Sequence, residues 1–553
     1  MTKAEVGLSL PDHQVVLRAQ QVAKTWCVAL AISVGTYLYL IVQFPTGNHD
    51  WERMSGLEFY SYQMQLGRWM SPAVYALTGF RQLPVLSALI ALTAYVSAGF
   101  ATCFLIESTT RKEVPRAAYL VAGLLCALIP FSNWTFYYSW MAAMAPLSQL
   151  TCVVGLTYVV RTGTLRSAAI GALAMCASLA TYQSSINTAA LLFWLVAILL
   201  IAVRVRDDDR TAAFRRVLVL AGSITLGAGL YKLSLSILKA FDLLADTYHF
   251  RFISWQELPG RIVEVAGASV GHLAMPHPFF PQSIKLLLLG LSLAGLLQLI
   301  VLALRSAPAS AEAAEGESAT TSATPRFAGA VLVVLGFGLM VFCSKIQFLV
   351  TEKTTYYDNR FASFGPTYVY LSFIVLALTY LSPRLRFAQL AMSGVCVWSC
   401  IVADLSWQDA HVKQNEFDKR LVDRIIARIE SLPEFRYDKS YDLVQLGNIP
   451  NIRGEYYDYA GEASPYHTFT IMPGWSPQDA YVGLEPRLDI RRSVKLERAL
   501  RRAADPRASR LVEHIQASRP WPHPSAVGIV DDYLVILLSK QGFRSAERKL
   551  QER

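Results

Sequence analysis

The stretch that decides the fold is WCVALAISVGTYLYLIVQF, residues 26–44, followed by the polar segment PTGNHDWER at residues 45–53. The first segment carries no charged residue, and its length is close to the ~20 residues that an apolar helix needs to cross a bilayer. The polar segment then places two carboxylates, Asp50 and Glu52, just beyond the apolar run. We therefore expect a membrane helix that ends in an acid-bearing turn at the membrane surface.

The composition extends this interpretation to most of the chain. Its 553 residues are 53% hydrophobic and 17% charged, whereas soluble proteins have about 25% charged residues. We predict an α-helical polytopic membrane protein with about eleven transmembrane helices. The predicted spans are 26–44, 83–106, 116–131, 146–160, 166–182, 186–203, 217–237, 284–304, 327–347, 366–381 and 387–405.

The loops between these spans alternate in charge. The formal net charge is +10, and in membrane proteins excess Lys and Arg are typical of cytoplasmic loops. At least two basic residues occur in each of loops 107–116, 161–166, 204–216, 305–326 and 382–386. The opposite loops are mostly longer and aromatic, at 45–82, 132–145, 238–283 and 348–365. We therefore predict a cytoplasmic N-terminal tail, residues 1–24, and place the second set of loops on the outer face.

Residues 407–553 are predicted to form a small soluble α/β domain outside the membrane, after a transmembrane domain spanning residues 25–406. An amphipathic helix is indicated by the four-residue spacing of its apolar residues, which are Phe417, Leu421, Ile425 and Ile429. The segment YDLVQLGNI is typical of a strand. The segments SAVGIV and YLVILL flank Asp531 and Asp532, which predicts a hairpin.

The acids of the first outer loop are candidates for catalysis. A carboxylate just above the bilayer, Asp50 or Glu52, can act as a general base on an attacking hydroxyl. The neighbouring Arg53 or His49 would tune its proton affinity. The alternative is a solvated loop carboxylate or an Asp–Arg pair that caps the next helix. The residues alone leave both interpretations open.

The outer loop at 348–365 offers cations. Lys353 and Arg360 suit phosphate binding, because a guanidinium binds phosphate with two hydrogen bonds and an ammonium adds a point charge. The aromatic pair between them, Tyr356 and Tyr357, can stack on a sugar ring. The alternative is an aromatic belt with charges at its rim.

A second polar segment, Tyr182-Gln183-Ser184-Ser185-Ile186-Asn187, lies at the entrance of a predicted span. Gln183 and Asn187 are four residues apart, which places both on one face of a helix. Their amides are suited to binding sugar hydroxyls, or they bond neighbouring helices, which is the commoner use of such residues. Both uses stay open at this point.

Taken together, these segments resemble the bacterial glucosyltransferase II family. The similar positions are Asn48-His49-Asp50 with Arg53, Leu66-Gly67-Arg68, the aromatic exit at 132–145, Ala180–Asn187, and the helix around Gln408 to Ile429. That family typically carries two adjacent acids in the first of these motifs. The first acid is replaced here by His49, so that Glu52 becomes a substitute candidate.

The resemblance implies a GT-C-type glycosyltransferase. Such an enzyme moves a hexose, here glucose, from a polyprenyl-phosphate carrier to a surface polysaccharide, as in O-antigen modification of lipopolysaccharide. The reaction takes place on the periplasmic face of the bacterial inner membrane. By position, Asp50 is the implied base, and Arg53 and Arg68 are implied contacts of the carrier phosphate. A small flippase and a carrier-lipid glycosyltransferase are the implied pathway partners.

Two other functions compete with this one. A polysaccharide polymerase or ligase relies on outer-face arginines and needs no first-loop acid. A lipid or solute transporter shows internal repeats and buried charges at mid-membrane, whereas polar groups here cluster in the outer loops.

We predict no metal site and no cofactor, since the acids and histidines of loop 238–283 lack metal-ligand spacing. A requirement for a divalent metal stays open. Nucleic-acid binding is not expected, since no basic run is interleaved with aromatic residues.

Overall fold

The computed structural model describes the chain in fourteen stretches. These are residues 12–43, 63–77, 83–136, 142–204, 210–244, 254–274, 281–305, 323–349, 364–447, 481–482, 485–494, 496–500, 506–539 and 544. Contacts between Cα atoms divide them into two compact units. The membrane unit holds residues 12–42 and the described residues between 63 and 406, and the C-terminal unit holds those from Trp407 onward.

Twelve helices of more than twelve residues account for the described membrane unit and the start of the C-terminal unit. They are α1 Asp12–Gln43, α2 Pro84–Thr110, α3 Arg116–Leu128, α4 Met144–Thr162, α5 Leu165–Thr181, α6 Ser185–Arg204, α7 Arg210–Ala240, α8 Leu258–Ala274, α9 Gln282–Arg305, α10 Ala323–Cys343, α11 Phe364–Tyr380 and α12 Pro383–Glu430. Short helical turns lie at Ser71–Ala76, Pro130–Ser132, Asn133–Phe136 and Ile346–Leu349.

The apolar helices support the membrane class. Among the described residues, five segments are long and apolar enough to cross a bilayer, namely Leu17–Gln43, Pro84–Thr110, Thr211–Ala240, Gln282–Arg305 and Pro383–Glu430. Five shorter apolar helices accompany them. Each of the eleven predicted spans coincides with a described helix, while the number that crosses the membrane stays a prediction.

Two features of the helices add detail that the sequence patterns did not indicate. The predicted outer loop 238–283 contains a helix of its own, α8. The last predicted span and the amphipathic segment after it are one continuous helix, α12, of 48 residues. Both patterns have the same helical period, and no Gly or Pro separates them at residues 405–408, so nothing in the chain ends the helix there.

Polar contacts show that the first three helices alternate in direction. At one end of the membrane unit, Arg18 of α1 donates to the Glu107 carboxylate of α2 at 2.6 Å. The hydroxyl of Tyr119, at the start of α3, donates to the same carboxylate at 3.0 Å. Tyr37, near the other end of α1, meets Asn133, which follows the end of α3. Consecutive helices thus run antiparallel, as the alternating loops predict.

The second group of contacts surrounds a fully buried acid, Asp404 of α12. Its Oδ1 accepts a hydrogen bond from Asn133 Nδ2 at 2.9 Å. The Tyr37 hydroxyl lies 2.7 Å from Asn133 Oδ1 and 3.4 Å from Asp404 Oδ2. Because a buried carboxyl group is costly without such partners, these bonds tie α1, the segment after α3 and α12 together.

Close backbone packing joins other helices. A Cβ atom on Gly295 of α9 would lie 2.0 Å from the Phe373 carbonyl oxygen of α11. Real Cβ atoms do not approach a carbonyl so closely, so only glycine allows this approach. Small residues at helix contacts are typical of membrane bundles.

The C-terminal unit contains a four-stranded sheet with the order β2-β1-β4-β3. Strand β1 is parallel to both neighbours, and β3 is antiparallel to β4. The strands are β1 Tyr441–Leu446, β2 Ile490–Ser493, β3 Val527–Val530 and β4 Tyr533–Leu537. A short helix at Leu496–Leu500 and helix α13, Pro506–Ala517, complete the described part of this unit. The predicted strand and the predicted hairpin around Asp531 are both confirmed.

The sheet is covered by apolar residues on both faces. The second half of α12 packs Leu421, Ile425 and Ile429 against one face. Helix α13 packs Leu511 and Ile515 against the other. Alternate residues of β1 and β4 belong to the two clusters, as the two-residue period of a strand requires.

The contact at Gly295 yields a stability test. We expect Gly295→Ala to reduce stability by about 1–3 kcal/mol, because the added methyl group overpacks the α9–α11 contact. The measurement is the thermal midpoint of the purified protein in detergent. Gly290→Ala in the same helix is the matched control, since a Cβ there meets nothing within 4 Å. Equal midpoints for the two variants would contradict the packing.

Candidate functional site

The site is built on a tight turn at residues 63–70. Gly67 has a φ of 72°, a left-handed conformation that glycine adopts without strain. The Gly67 N–H donates to the Met64 carbonyl at 2.8 Å, and the Arg68 N–H donates to the Gln63 carbonyl at 2.9 Å. The Met70 N–H donates to the carbonyl of Ala180 near the end of α5 at 3.0 Å. The turn therefore holds Arg68 against the α5–α6 junction.

The guanidinium of Arg68 is the centre of the site. Arg68 is only 8% exposed. Its Nε donates to Gln183 Oε1 at 3.2 Å, and its Nη1 donates to Gln63 Oε1 at 3.2 Å. The guanidinium carbon lies 4.7 Å from the centre of the Tyr182 ring. The structure thus brings together three residues that the sequence singled out separately: Arg68, Tyr182 and Gln183.

The side-chain amide of Gln183 also bonds the turn that carries Arg68 and the neighbouring helix α7. Its Nε2 donates to the Leu66 carbonyl at 2.8 Å and to the Tyr231 hydroxyl of α7 at 3.1 Å. The Tyr231 hydroxyl in turn lies 3.3 Å from the Gly67 carbonyl oxygen, to which it donates. Gln183 therefore fixes both the guanidinium and the turn that carries it.

The predicted helix face with Gln183 and Asn187 is not formed. Helix α6 begins at Ser185, so Gln183 lies in the turn before it. The Asn187 side chain accepts a hydrogen bond from the Gln347 N–H at 2.9 Å. Gln347 is in a different segment of the chain from the residues that bond Gln183. Both amides bond neighbouring segments, which was the commoner of the two expected uses.

The charge of Arg68 has no acidic counterpart in the described part of the chain. Its side-chain partners there are two amides and an aromatic ring, while the membrane unit pairs Arg18 with Glu107 elsewhere. A guanidinium presents five N–H donors in a fixed fork. Arg68 is therefore an oriented cation that retains donors for an anion.

Two buried lysines were missed by the sequence reasoning. Lys285, in the first turn of α9, is 0% exposed, and Lys345, just after α10, is 1% exposed. The two side chains interact electrostatically with each other. Lysine is almost never fully buried, and ionisable residues inside a membrane domain mark functional sites. The sequence could have indicated both lysines by their position, since they lie at the predicted outer ends of two spans, where basic residues are disfavoured.

The lysine pair lies at the same end of the membrane unit as Arg68. Lys345 is two residues before Gln347, whose N–H binds Asn187 in the first turn of α6. Gln183 stands one turn earlier at the same helix start. Lys345 therefore lies near the first turn of α6 in the structure, as Arg68 lies near the turn before it.

These segments fall within one family model. The model described as Glucosyl transferase GtrII matches residues 48–378. The chain belongs to this glucosyltransferase family. Among curated proteins, none matches the chain. The matched region of this glucosyltransferase includes the Arg68 turn, the α5–α6 junction and both buried lysines. It ends before the helix from Gln408 to Ile429, which was one of the segments that suggested the family.

Other candidate residues lie outside the part of the chain that the structure describes. These are Asp50, Glu52, Arg53, Lys353, Tyr356, Tyr357 and Arg360, together with His49. All eight fall within the family match. Their roles remain predictions.

The hydroxyl of Tyr231 provides a test of the site's architecture. We expect Tyr231→Phe to destabilise the glucosyltransferase by about 1 kcal/mol, because the Gln183 amide and the Gly67 carbonyl lose a buried partner. Thermal unfolding in detergent measures the change. Tyr158→Phe is the matched control, since Tyr158 is 39% exposed on α4. A loss no larger than that of the control would argue against the described network.

Proposed function

We propose that this protein transfers a glucosyl group from polyprenyl phosphate to a surface polysaccharide of the O-antigen type, on the periplasmic face of the inner membrane. The observation that carries the proposal is the buried Arg68 guanidinium inside the family match. An oriented cation at a membrane helix junction suits a phosphate that arrives on a lipid. We assign the catalytic domain to the GT-C class on the basis of its many apolar helices and outer-loop acid.

The phosphate of the donor is the leaving group. As the bond between the anomeric carbon and the phosphate oxygen breaks, negative charge grows on the phosphate. A guanidinium held in place by Gln63 and Gln183 stabilises that charge without reorganising. Lys353 and Arg360 are further candidates for the same anion from the outer loop.

The attacking group is a hydroxyl of the acceptor sugar. Its oxygen forms the new bond to the anomeric carbon while its proton passes to a carboxylate. Position and family resemblance favour Asp50 for this base, with Glu52 as the alternative because His49 replaces the first acid of the family pattern. Arg53 is adjacent and is suited to orient the acid, and Tyr356 and Tyr357 are suited to stack on a sugar.

A polysaccharide polymerase or ligase is the second candidate. The buried cations Arg68, Lys285 and Lys345 would also suit a lipid diphosphate, which carries more charge than a monophosphate. Membership in a glucosyltransferase family favours single-sugar transfer. The two functions leave different products, since transfer adds one hexose per repeat and polymerisation alters chain length.

The base assignment is tested by Asp50→Asn. We expect this variant to lose transfer almost completely, because an amide cannot accept the hydroxyl proton, while its amount in the membrane is unchanged. Mass and linkage analysis of surface glycans from cells that carry each variant measures the transfer. Glu52→Gln is the matched variant and is expected to stay active. Retained transfer in Asp50→Asn with loss in Glu52→Gln would move the role to Glu52.

The phosphate role is tested by Arg68→Lys. Lysine keeps the charge but loses the fork that binds Gln63 and Gln183, so we expect kcat/KM for the lipid-linked donor to fall about 10- to 100-fold, the worth of one or two charge-assisted hydrogen bonds. The assay uses membranes supplied with polyprenyl-phosphate glucose. Arg305→Lys at the end of α9 is the control. An unchanged kcat/KM would remove Arg68 from the site.

A further inference from the structure

The C-terminal unit contains an open pocket of about 350 Å³ that the proposed transfer site does not use. One wall is the last two turns of α12, and the other is the segment before β3. The lining residues are Arg424, Ala427, Arg428, Ser431, Trp521, Pro522, His523 and Pro524. Its volume lies within the range of about 300–1,000 Å³ that is usual for small-ligand sites.

Two arginines dominate the wall formed by α12. Arg424 and Arg428 are four residues apart and therefore lie on one face of the helix. Within the described residues, neither guanidinium pairs with a carboxylate. Elsewhere in this unit such pairs are common, as in Arg420–Glu416, Arg492–Asp442 and Arg510–Asp531. Among the residues that the structure describes, the pocket thus concentrates positive charge without a paired carboxylate.

Both guanidinium groups are held in place by neutral contacts. Arg428 Nε donates to the Pro524 carbonyl at 3.1 Å, and its Nη1 donates to Ser431 Oγ at 3.2 Å. The Arg424 guanidinium carbon lies 5.5 Å from the centre of the Trp521 ring. An arginine whose orientation is set in advance loses less entropy when it binds an anion.

The opposite wall is also ordered by hydrogen bonds. The backbone N–H of Trp521 donates to the Leu537 carbonyl of β4 at 2.9 Å. The indole ring of Trp521 packs against the apolar cluster between α12 and the sheet. His523 Nδ1 accepts a hydrogen bond from the Ser525 N–H at 3.2 Å. With Nδ1 in that role, the neutral imidazole carries its proton on Nε2 and is a donor toward a ligand.

We propose that this pocket binds an acidic saccharide unit of the acceptor polysaccharide, one that carries a carboxylate or a phosphate ester. Paired guanidinium groups match the geometry of such an anion. The indole provides a flat apolar surface beside them, and His523 adds a donor for a ring hydroxyl. The identification of this ligand as acceptor rests on the proposed glucosyl transfer, whereas its chemistry rests on the pocket alone.

A saccharide fits the pocket better than an anionic membrane surface does. Proteins that attach to membrane surfaces present exposed apolar side chains beside basic ones. In this pocket the indole packs against the protein core, and the arginines line an open, shallow depression. A single saccharide unit fits a depression of this size, and the packed indole is not available for insertion into lipid.

The test is direct binding to the full-length protein in detergent, measured by calorimetry without donor. The probes are trigalacturonate as the acidic trisaccharide, maltotriose as the neutral one, and phosphatidylglycerol vesicles with reconstituted protein. We expect trigalacturonate to bind and maltotriose not to bind. The double change Arg424→Ala and Arg428→Ala should weaken trigalacturonate binding at least about tenfold, through loss of charge-assisted hydrogen bonds.

Two variants control for folding and for general charge. Ala427→Glu keeps both arginines but places an acid between them on the exposed helix face, and it should also weaken trigalacturonate binding. Arg420→Ala removes a positive charge one turn before the pocket, where Arg420 pairs with Glu416, and should bind like the unmodified protein. Thermal midpoints verify that each variant is folded.

Three results would overturn the proposal. They are unchanged trigalacturonate binding in the double variant, equal binding of maltotriose, and arginine-dependent vesicle binding without trisaccharide binding. The Asp50→Asn variant separates this proposal from the transfer reaction. It should bind trigalacturonate normally, so failure of the pocket and failure of glucosyl transfer give different results.

Discussion

The membrane unit depends on keeping a buried guanidinium hydrogen-bonded. Arg68 is removed from water, and an unsatisfied charged donor in an apolar environment costs several kcal/mol. The amide oxygens of Gln63 and Gln183 reduce this cost, because each accepts a hydrogen bond from the guanidinium. The left-handed Gly67, the break before α6 and the Tyr231 hydroxyl all serve the same network. The residues that form the candidate site are therefore the same residues that stabilise the local fold.

The same constraint explains where the polar groups of the membrane unit are found. Glu107 is bonded near the end of α2 and Arg68 beside the α5–α6 junction, whereas Asp404 lies midway along α12 and is bonded beside the ends of α1 and α3. Elsewhere the described helices meet through apolar side chains, through glycine, as at Gly295, and through buried hydrogen bonds such as that from Gln389 Nε2 to the Leu291 carbonyl. Each polar side chain named here thus has a hydrogen-bond partner on a neighbouring segment.

Much of the architecture could be predicted because it depends on local pattern. The apolar runs gave each helix its position, and the alternation of β1 and β4 follows from their sequence. The helix α8 was missed because its segment was assigned to an outer loop on hydropathy. The continuity of α12 was missed because a change from apolar to amphipathic pattern resembles a boundary, although both patterns have the same helical period and no Gly or Pro lies between them.

The candidate site was predictable in its residue types and not in its geometry. Arg68 and Gln183 are 115 positions apart, and no periodic pattern relates residues at that separation. Lys285 and Lys345 escaped notice because each is a single charge at the end of an apolar run, and burial is a property of the packed helices. The mutual approach of such residues is decided by tertiary packing, which single-sequence patterns do not encode.

The buried Asp404 also has a consequence for biogenesis. A chain is synthesised from its N-terminus, and segments fold as they emerge. The two side chains that bond this acid, Tyr37 and Asn133, belong to the first quarter of the chain. They are synthesised before α12, so both hydrogen-bond partners of Asp404 exist when this helix is made. Packing of α12 beside them then supplies the carboxyl group with these partners.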